Sequence, residues 1–96
     1  MNGVPVAIDD YSESDRVLRE VLRDVLGLSA ERIAEFTRDT GLFGHLPELD
    51  SMAVAGLLTE IEDRVGIVIE DDEVDGEMLE TYGALIAFVQ AKRGAD

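Results

Sequence analysis

Apolar residues return every three or four positions along three stretches of this chain, the period of α-helices that bury one face. Leu18, Val21, Leu22, Val25 and Leu26 make the first stripe, with Arg16, Arg19, Glu20, Arg23 and Asp24 on the other faces. Val54, Leu57, Leu58, Ile61 and Val65 make the second, and Tyr82, Leu85, Ile86 and Val89 the third, with Phe88 at its margin. The run Ile67-Val68-Ile69 is β-branched, but no partner run exists elsewhere. It is therefore read as a buried extended connector rather than a strand, despite its propensity.

The residues between the stripes set the helix ends. Ser12 or Ser14 can cap the first helix, Glu13 and Asp15 suit its positive end, and Gly27 stops it. Residues 1–12 show no period and read as a flexible lead-in. Ser29 stands between Leu28 and Ile33 at hydrophobic-staple spacing, which predicts a short helix over residues 30–36. Residues 37–49 carry Gly41, Gly44 and Pro47, yet Leu42, Phe43, Leu46 and Leu49 are too apolar for a free linker. They predict a loop pinned onto the core. The second long helix is expected over residues 51–65 and ends at Gly66. Residues 70–80 hold seven carboxylates and no basic residue, with Val74 and Leu79 as anchors for a short helix. Thr81 can cap the last helix, and Lys92 and Arg93 fall where the dipole favours cations. The expected fold is an all-α bundle of three main helices and one or two short ones. A long first connection lets the chain cross the bundle and return. The domain is expected over residues 13–93, with 94–96 as tail.

Composition narrows the function. Ninety-six residues make one domain with a modest core. With no cysteine, disulfides and thiolate metal sites are excluded. No apolar run approaches the ~20 residues of a membrane span, and the N-terminus lacks the pattern of a signal peptide, so a cytoplasmic protein is expected. The net charge of -14, from 22 acidic and 8 basic residues, argues against nucleic acid and favours basic protein surfaces as partners.

The residue with most chemical promise is Ser51, in Leu49-Asp50-Ser51-Met52 at the mouth of the second long helix. The first-turn N–H groups of a helix lack partners within it, and the dipole favours negative charge there, so this is a good place to hold a phosphate. A bare helix cap is the plainer reading of such a serine. His45 lies nearby in sequence, but no Gly-x-Ser-x-Gly elbow surrounds Ser51, and a hydrolase also needs an orienting acid and an oxyanion hole. A surface-loop histidine is the expectation. Asp71, Glu73, Asp75 and Gly76 open like a calcium loop, but Tyr82 stands where the bidentate Glu belongs, so no metal site is assigned.

Asp50-Ser51-Met52, the acidic helical chain around it, the Gly-containing loop before it and the acidic turn Asp71-Asp72-Glu73 after it resemble the acyl and peptidyl carrier proteins. That family is marked by Asp-Ser-Leu at the start of its second helix, and the likeness runs from about Ser14 to Val89. Met52 for Leu is a departure of similar volume. The resemblance implies a small four-helix bundle of acyl-carrier type. It implies 4′-phosphopantetheine attached to Ser51 from coenzyme A by a separate Mg-dependent phosphopantetheinyl transferase, with Asp50 in support. The arm's thiol would carry an acyl or aminoacyl group as a thioester. The chain itself would catalyse nothing, and an acyl-activating ligase, acyltransferase or synthase would make the bonds. A monomer is expected. The alternatives are a peptidyl or aminoacyl carrier, or a carrier-like module that is never modified.

Fatty-acid-synthesis carriers usually show carboxylates soon after the serine. Here Ala53, Ala55 and Gly56 come first, and Glu60, Glu62 and Asp63 follow later with Arg64. The pattern looks more like stand-alone specialised bacterial carriers. The partner surface is expected to centre on Leu49, Asp50, Met52, Ala55 and Thr59, rimmed by Glu60 and Asp63, with Met52 as its apolar contact.

Overall fold

The computed structural model describes the backbone of residues 4–94 and the side chains of residues 13–94. Four α-helices follow in order: α1 (Val4–Leu26), α2 (Ala30–Ala34), α3 (Ser51–Ile61) and α4 (Tyr82–Gly94). A π-helical turn, Glu62–Gly66, continues α3, and a 3-10 turn, Asp71–Glu73, lies in the acidic stretch. Among the described residues there is no strand, only an isolated antiparallel bridge between Gly41 and Thr81. The helical bundle expected from the three stripes is what forms.

α1 packs against α2, α3 and α4. Leu18, Val21 and Leu22 from α1, Leu57 and Ile61 from α3, and Leu85, Ile86 and Val89 from α4 close the core. Val25, Leu58 and Val65 pack against it from partly exposed positions. Ile67 is buried and Ile69 half-buried, but Val68 between them faces solvent, so the connector is buried on one side only. Gly66 adopts φ +81°, a left-handed conformation that most side chains resist, and it ends the helical run as expected.

The helix starts show where capping patterns speak clearly. Ser29 caps α2, its side chain accepting the Arg32 N–H at 3.1 Å, with Leu28 and Ile33 buried beside it. Thr81 Oγ1 accepts the Ala84 N–H at 3.1 Å at the start of α4. The first helix differs. It begins at Val4, so its backbone covers most of the stretch read as a lead-in, and neither Ser12 nor Ser14 opens it. The Ser12 side chain lies outside the described residues. Ser14 is fully buried inside α1, where its hydroxyl donates to Gln90 Oε1 at 2.7 Å and accepts from Arg93 Nη1 at 2.7 Å. A serine inside a helix can serve a neighbouring helix instead of its own backbone. Lys92 likewise reaches out of α4 to the Glu73 carboxylate at 2.9 Å, beyond its dipole role.

Candidate functional site

The approach to Ser51 is held from both sides. Leu42 and Leu49 are buried and Leu46 half-buried, which presses residues 42–49 onto the core. The backbone is also tied to the start of α4. Leu42 N–H donates to the Glu80 carbonyl at 2.8 Å and Phe43 N–H to that of Leu79 at 2.9 Å. In return Tyr82 N–H reaches the Thr40 carbonyl at 2.8 Å and Gly83 N–H the Arg38 carbonyl at 2.9 Å. A Cβ on Gly83 would lie 2.8 Å from that carbonyl oxygen, so the close approach requires glycine. Arg32 of α2 grips Glu48 at 2.6 Å, and this bond holds the Glu48 carboxyl below its ordinary range.

Asp50 is the N-cap of α3. Its backbone is extended (φ -96°, ψ -176°), its Oδ1 accepts the Ala53 N–H at 2.8 Å, and its carbonyl accepts the Val54 N–H at 3.0 Å. The cap is therefore supplied by the aspartate, which leaves Ser51 as the first helical residue. The Ser51 hydroxyl is exposed and makes no hydrogen bond among the described residues, and neither do the N–H groups of Ser51 and Met52. An exposed nucleophilic oxygen thus stands beside two unengaged N–H donors at the positive end of a helix. A phosphate ester on Ser51 would find both donors within its own turn.

Met52 is 85% exposed beside it, and Ala55, Thr59 and Asp63 follow at spacings of three or four, all exposed. Asp63 falls in the π-helical turn. Glu60 is half-buried and bonded to Arg64 at 3.0 Å, and Arg64 also reaches Asp24 of α1 at 2.9 Å. Leu49 pins the loop to the core as expected, and so departs from its other expected place on the partner surface. It is 3% exposed and belongs to the core, so it supports the site from beneath and offers no surface. Phe43 departs in the opposite sense: expected to pin the loop, it is 40% exposed. Two open grooves meet at Ser51. One of about 490 Å³ runs along the preceding loop, past Phe43, His45 and Pro47. The other, of about 520 Å³, runs along α3 past Val54 and Leu58 toward Glu62, Ile69 and Asp71. Glu62 Oε2 accepts the Ile69 N–H at 2.7 Å at its far end, a tie that no sequence signal marks.

His45 is exposed on the loop and makes no hydrogen bond to Ser51 among the described residues. The Tyr82 hydroxyl donates to Asp15 of α1, within the α1–α4 contact. Among the described residues no three His, Cys, Asp or Glu side chains could hold a metal ion, and no helix is long and apolar enough to cross a membrane.

The family model described as the phosphopantetheine attachment site matches residues 16–89. The fold is similar to a solution NMR structure of a holo acyl carrier protein from Nitrosomonas europaea, with a TM-score of 0.74 and 40% sequence identity over 80% of this chain and 92% of that one. This chain belongs to the phosphopantetheine-attachment family of carrier proteins.

Proposed function

We propose that this protein is an acyl carrier whose 4′-phosphopantetheine arm is attached to Ser51. The observation that carries the reading is the cap geometry. Asp50 takes up the cap, which frees the Ser51 hydroxyl for esterification and leaves the Ser51 and Met52 N–H groups to face the phosphodiester. In the attachment reaction the Ser51 hydroxyl loses its proton and bonds to phosphorus, and the coenzyme A pyrophosphate linkage breaks to release 3′,5′-ADP. When bound, the arm supplies the thiol that this cysteine-free chain lacks, and cargo is held on it as a thioester. Asp50 keeps the helix start ordered, and Glu48, tied to Arg32, keeps the loop in place. The chain itself would catalyse nothing, and partner enzymes would make and break the bonds.

The transferase and an acyl-activating ligase, acyltransferase or synthase are the expected partners, in the cytoplasm. They would meet the stripe Met52, Ala55, Thr59 and Asp63, with Glu60 at its edge. Residues 13–93 would make the carrier unit, which contains the whole family match. Incubation with coenzyme A, Mg²⁺ and a promiscuous phosphopantetheinyl transferase tests the reading. The intact mass should rise by one arm, and Ser51→Ala should gain none. An unchanged mass with several active transferases would leave a carrier-like module that is never modified, and modification at Ser12, Ser14 or Ser29 would overturn the site.

A further inference from the structure

Resting on Ser51 as the attachment point, we infer that Glu62 selects the cargo: it shelters an acyl group that carries an ammonium close to the thioester and turns out one that carries a carboxylate there. The length of α3 brings residue and cargo together. From Ser51 to Glu62 the chain climbs about 16 Å at the rise of an α-helix. The arm has about fourteen bonds from the serine oxygen to its sulfur, as many as roughly five residues of extended backbone, which reach about 16 Å. An arm laid along the α3-side groove therefore passes Val54, Leu58 and Ile69 and ends level with Glu62. The first carbons of the cargo, and not the phosphodiester, are what this residue meets.

Glu62 is held in place for that encounter. It is half-buried in the groove wall where the π-helical turn begins, and its Oε2 accepts the Ile69 N–H at 2.7 Å. One oxygen is thus fixed to the facing connector, while the other, Oε1, has no hydrogen-bond partner among the described residues. A carboxylate ordered by one bond and open at its second oxygen offers an acceptor at little further cost in side-chain freedom. No counter-charge lies within reach of that oxygen's groove. Apart from Asp71 the other lining residues are neutral. Arg64, just beyond, is engaged with Asp24 at 2.9 Å and Glu60 at 3.0 Å, and Lys92 with Glu73 at 2.9 Å. A cargo ammonium therefore gains a charge-assisted partner beside the thioester, whereas a cargo carboxylate meets like charge and no cation to offset it.

The test uses the full chain, loaded by a promiscuous phosphopantetheinyl transferase from two coenzyme A thioesters of similar size, β-alanyl and malonyl, with intact mass confirming each. The readout is thioester cleavage by hydroxylamine. Each rate is divided by that of the same thioester on free pantetheine, which removes the cargo's own reactivity. The β-alanyl form should be about two- to fivefold better protected than the malonyl form, the range that a partly exposed ion pair gives. Glu62→Gln keeps an oxygen for the Ile69 N–H and removes the charge, and it should bring the two cargoes level. Asp63→Asn removes a charge one position on, outside the groove lining, and should leave the difference in place. Equal protection in the wild-type chain would overturn the inference while leaving the carrier reading intact. So would a difference that survives Glu62→Gln or disappears in Asp63→Asn. Failure to gain mass would overturn the carrier reading first and this inference with it.

Discussion

The hydroxyl of Tyr82 donates to Asp15 Oδ1 at 2.6 Å, and Arg19 Nε reaches the same carboxylate oxygen at 2.9 Å. Arg19 also donates to the carbonyls of Ile33 and Phe36, and its guanidinium stands 5.2 Å over the Tyr82 ring. Phe36 meets that ring edge-on, with centroids 5.8 Å apart. A single polar knot thus joins α1, the α2 segment and α4 beneath the loop that leads to Ser51.

Tyr82→Phe should cost about 1–3 kcal/mol, the usual loss when a buried hydrogen-bonding group is left without its partner. Denaturant melts would show it. Burial, and then the bond to Asp15, push the Tyr82 phenol well above its ordinary value of 10.0. The folded state therefore keeps a proton that the unfolded chain gives up. This contribution is complete below about pH 10 and declines above it. The wild-type protein should lose stability in that alkaline range, and Tyr82→Phe should lose less. Parallel slopes for the two would contradict the assignment.

Ile61→Ala should cost about 2–5 kcal/mol, because Ile61 is fully buried. Leu58→Ala should cost clearly less, since Leu58 is only half-buried. Equilibrium unfolding of the pair would test the core assignment, and an equal or reversed order would argue against it.

Glu73 accepts its own turn's Glu70 N–H and the Lys92 ammonium, and in that order these hold its carboxyl below the ordinary 4.5. A depressed carboxyl stabilises the fold above its unfolded value, and the contribution is lost as pH falls through the folded value. Lys92→Met should lower the melting temperature at pH 7, and the difference should shrink below about pH 4.5. A difference that persists in acid would place the effect in packing of the lysine stem.

Seven of the eight basic side chains stand in ion pairs among the described residues, and Arg38 is engaged as well. Cations are thus largely spent within the molecule, against a net charge of -14. Added sodium chloride should raise the melting temperature by screening the excess carboxylates. A flat response would mean that the acidic stretch is spaced widely enough to feel little repulsion.

Met52→Ala should leave the melting temperature nearly unchanged, because the side chain is 85% exposed. It should still slow loading by a cognate ligase or transfer by an acyltransferase, as loss of a central apolar contact does. Asp63→Lys should act mainly on association rate, with an effect that fades in salt. Asp63 is the cleaner charge probe, since reversal at Glu60 also breaks its bond to Arg64. Loss of stability with normal loading by the folded fraction would refute the contact role.

What the sequence made legible follows from what is local. The stripes at 18–26, 54–65 and 82–89, the caps at Ser29 and Thr81 and the stop at Gly66 each depend on residues a few positions apart, and each appears in the fold. Ser51 at a helix mouth was legible for the same reason. The misread positions depend on distant partners. Ser14 looked like a cap because its acceptor, Gln90, lies at the other end of the chain. Leu42 and Phe43 are equally apolar, and only the pairing of residues 42–43 with 79–80 sets one inside and the other out. The Glu62 tie to Ile69 follows the π-helical turn, whose winding no periodicity of 3.6 anticipates.

The stitch between residues 38–43 and 79–83 also sets an order of events. During synthesis α1 and α3 can emerge and meet while the start of α4 is still unmade, but residues 38–43 of the loop before Ser51 lack their backbone partners until Leu79–Gly83 leaves the ribosome. Ser51 is near the middle of the chain, yet its surroundings are finished almost last. A transferase that reads the assembled loop as well as the helix would then act on completed chains and pass over nascent or truncated ones.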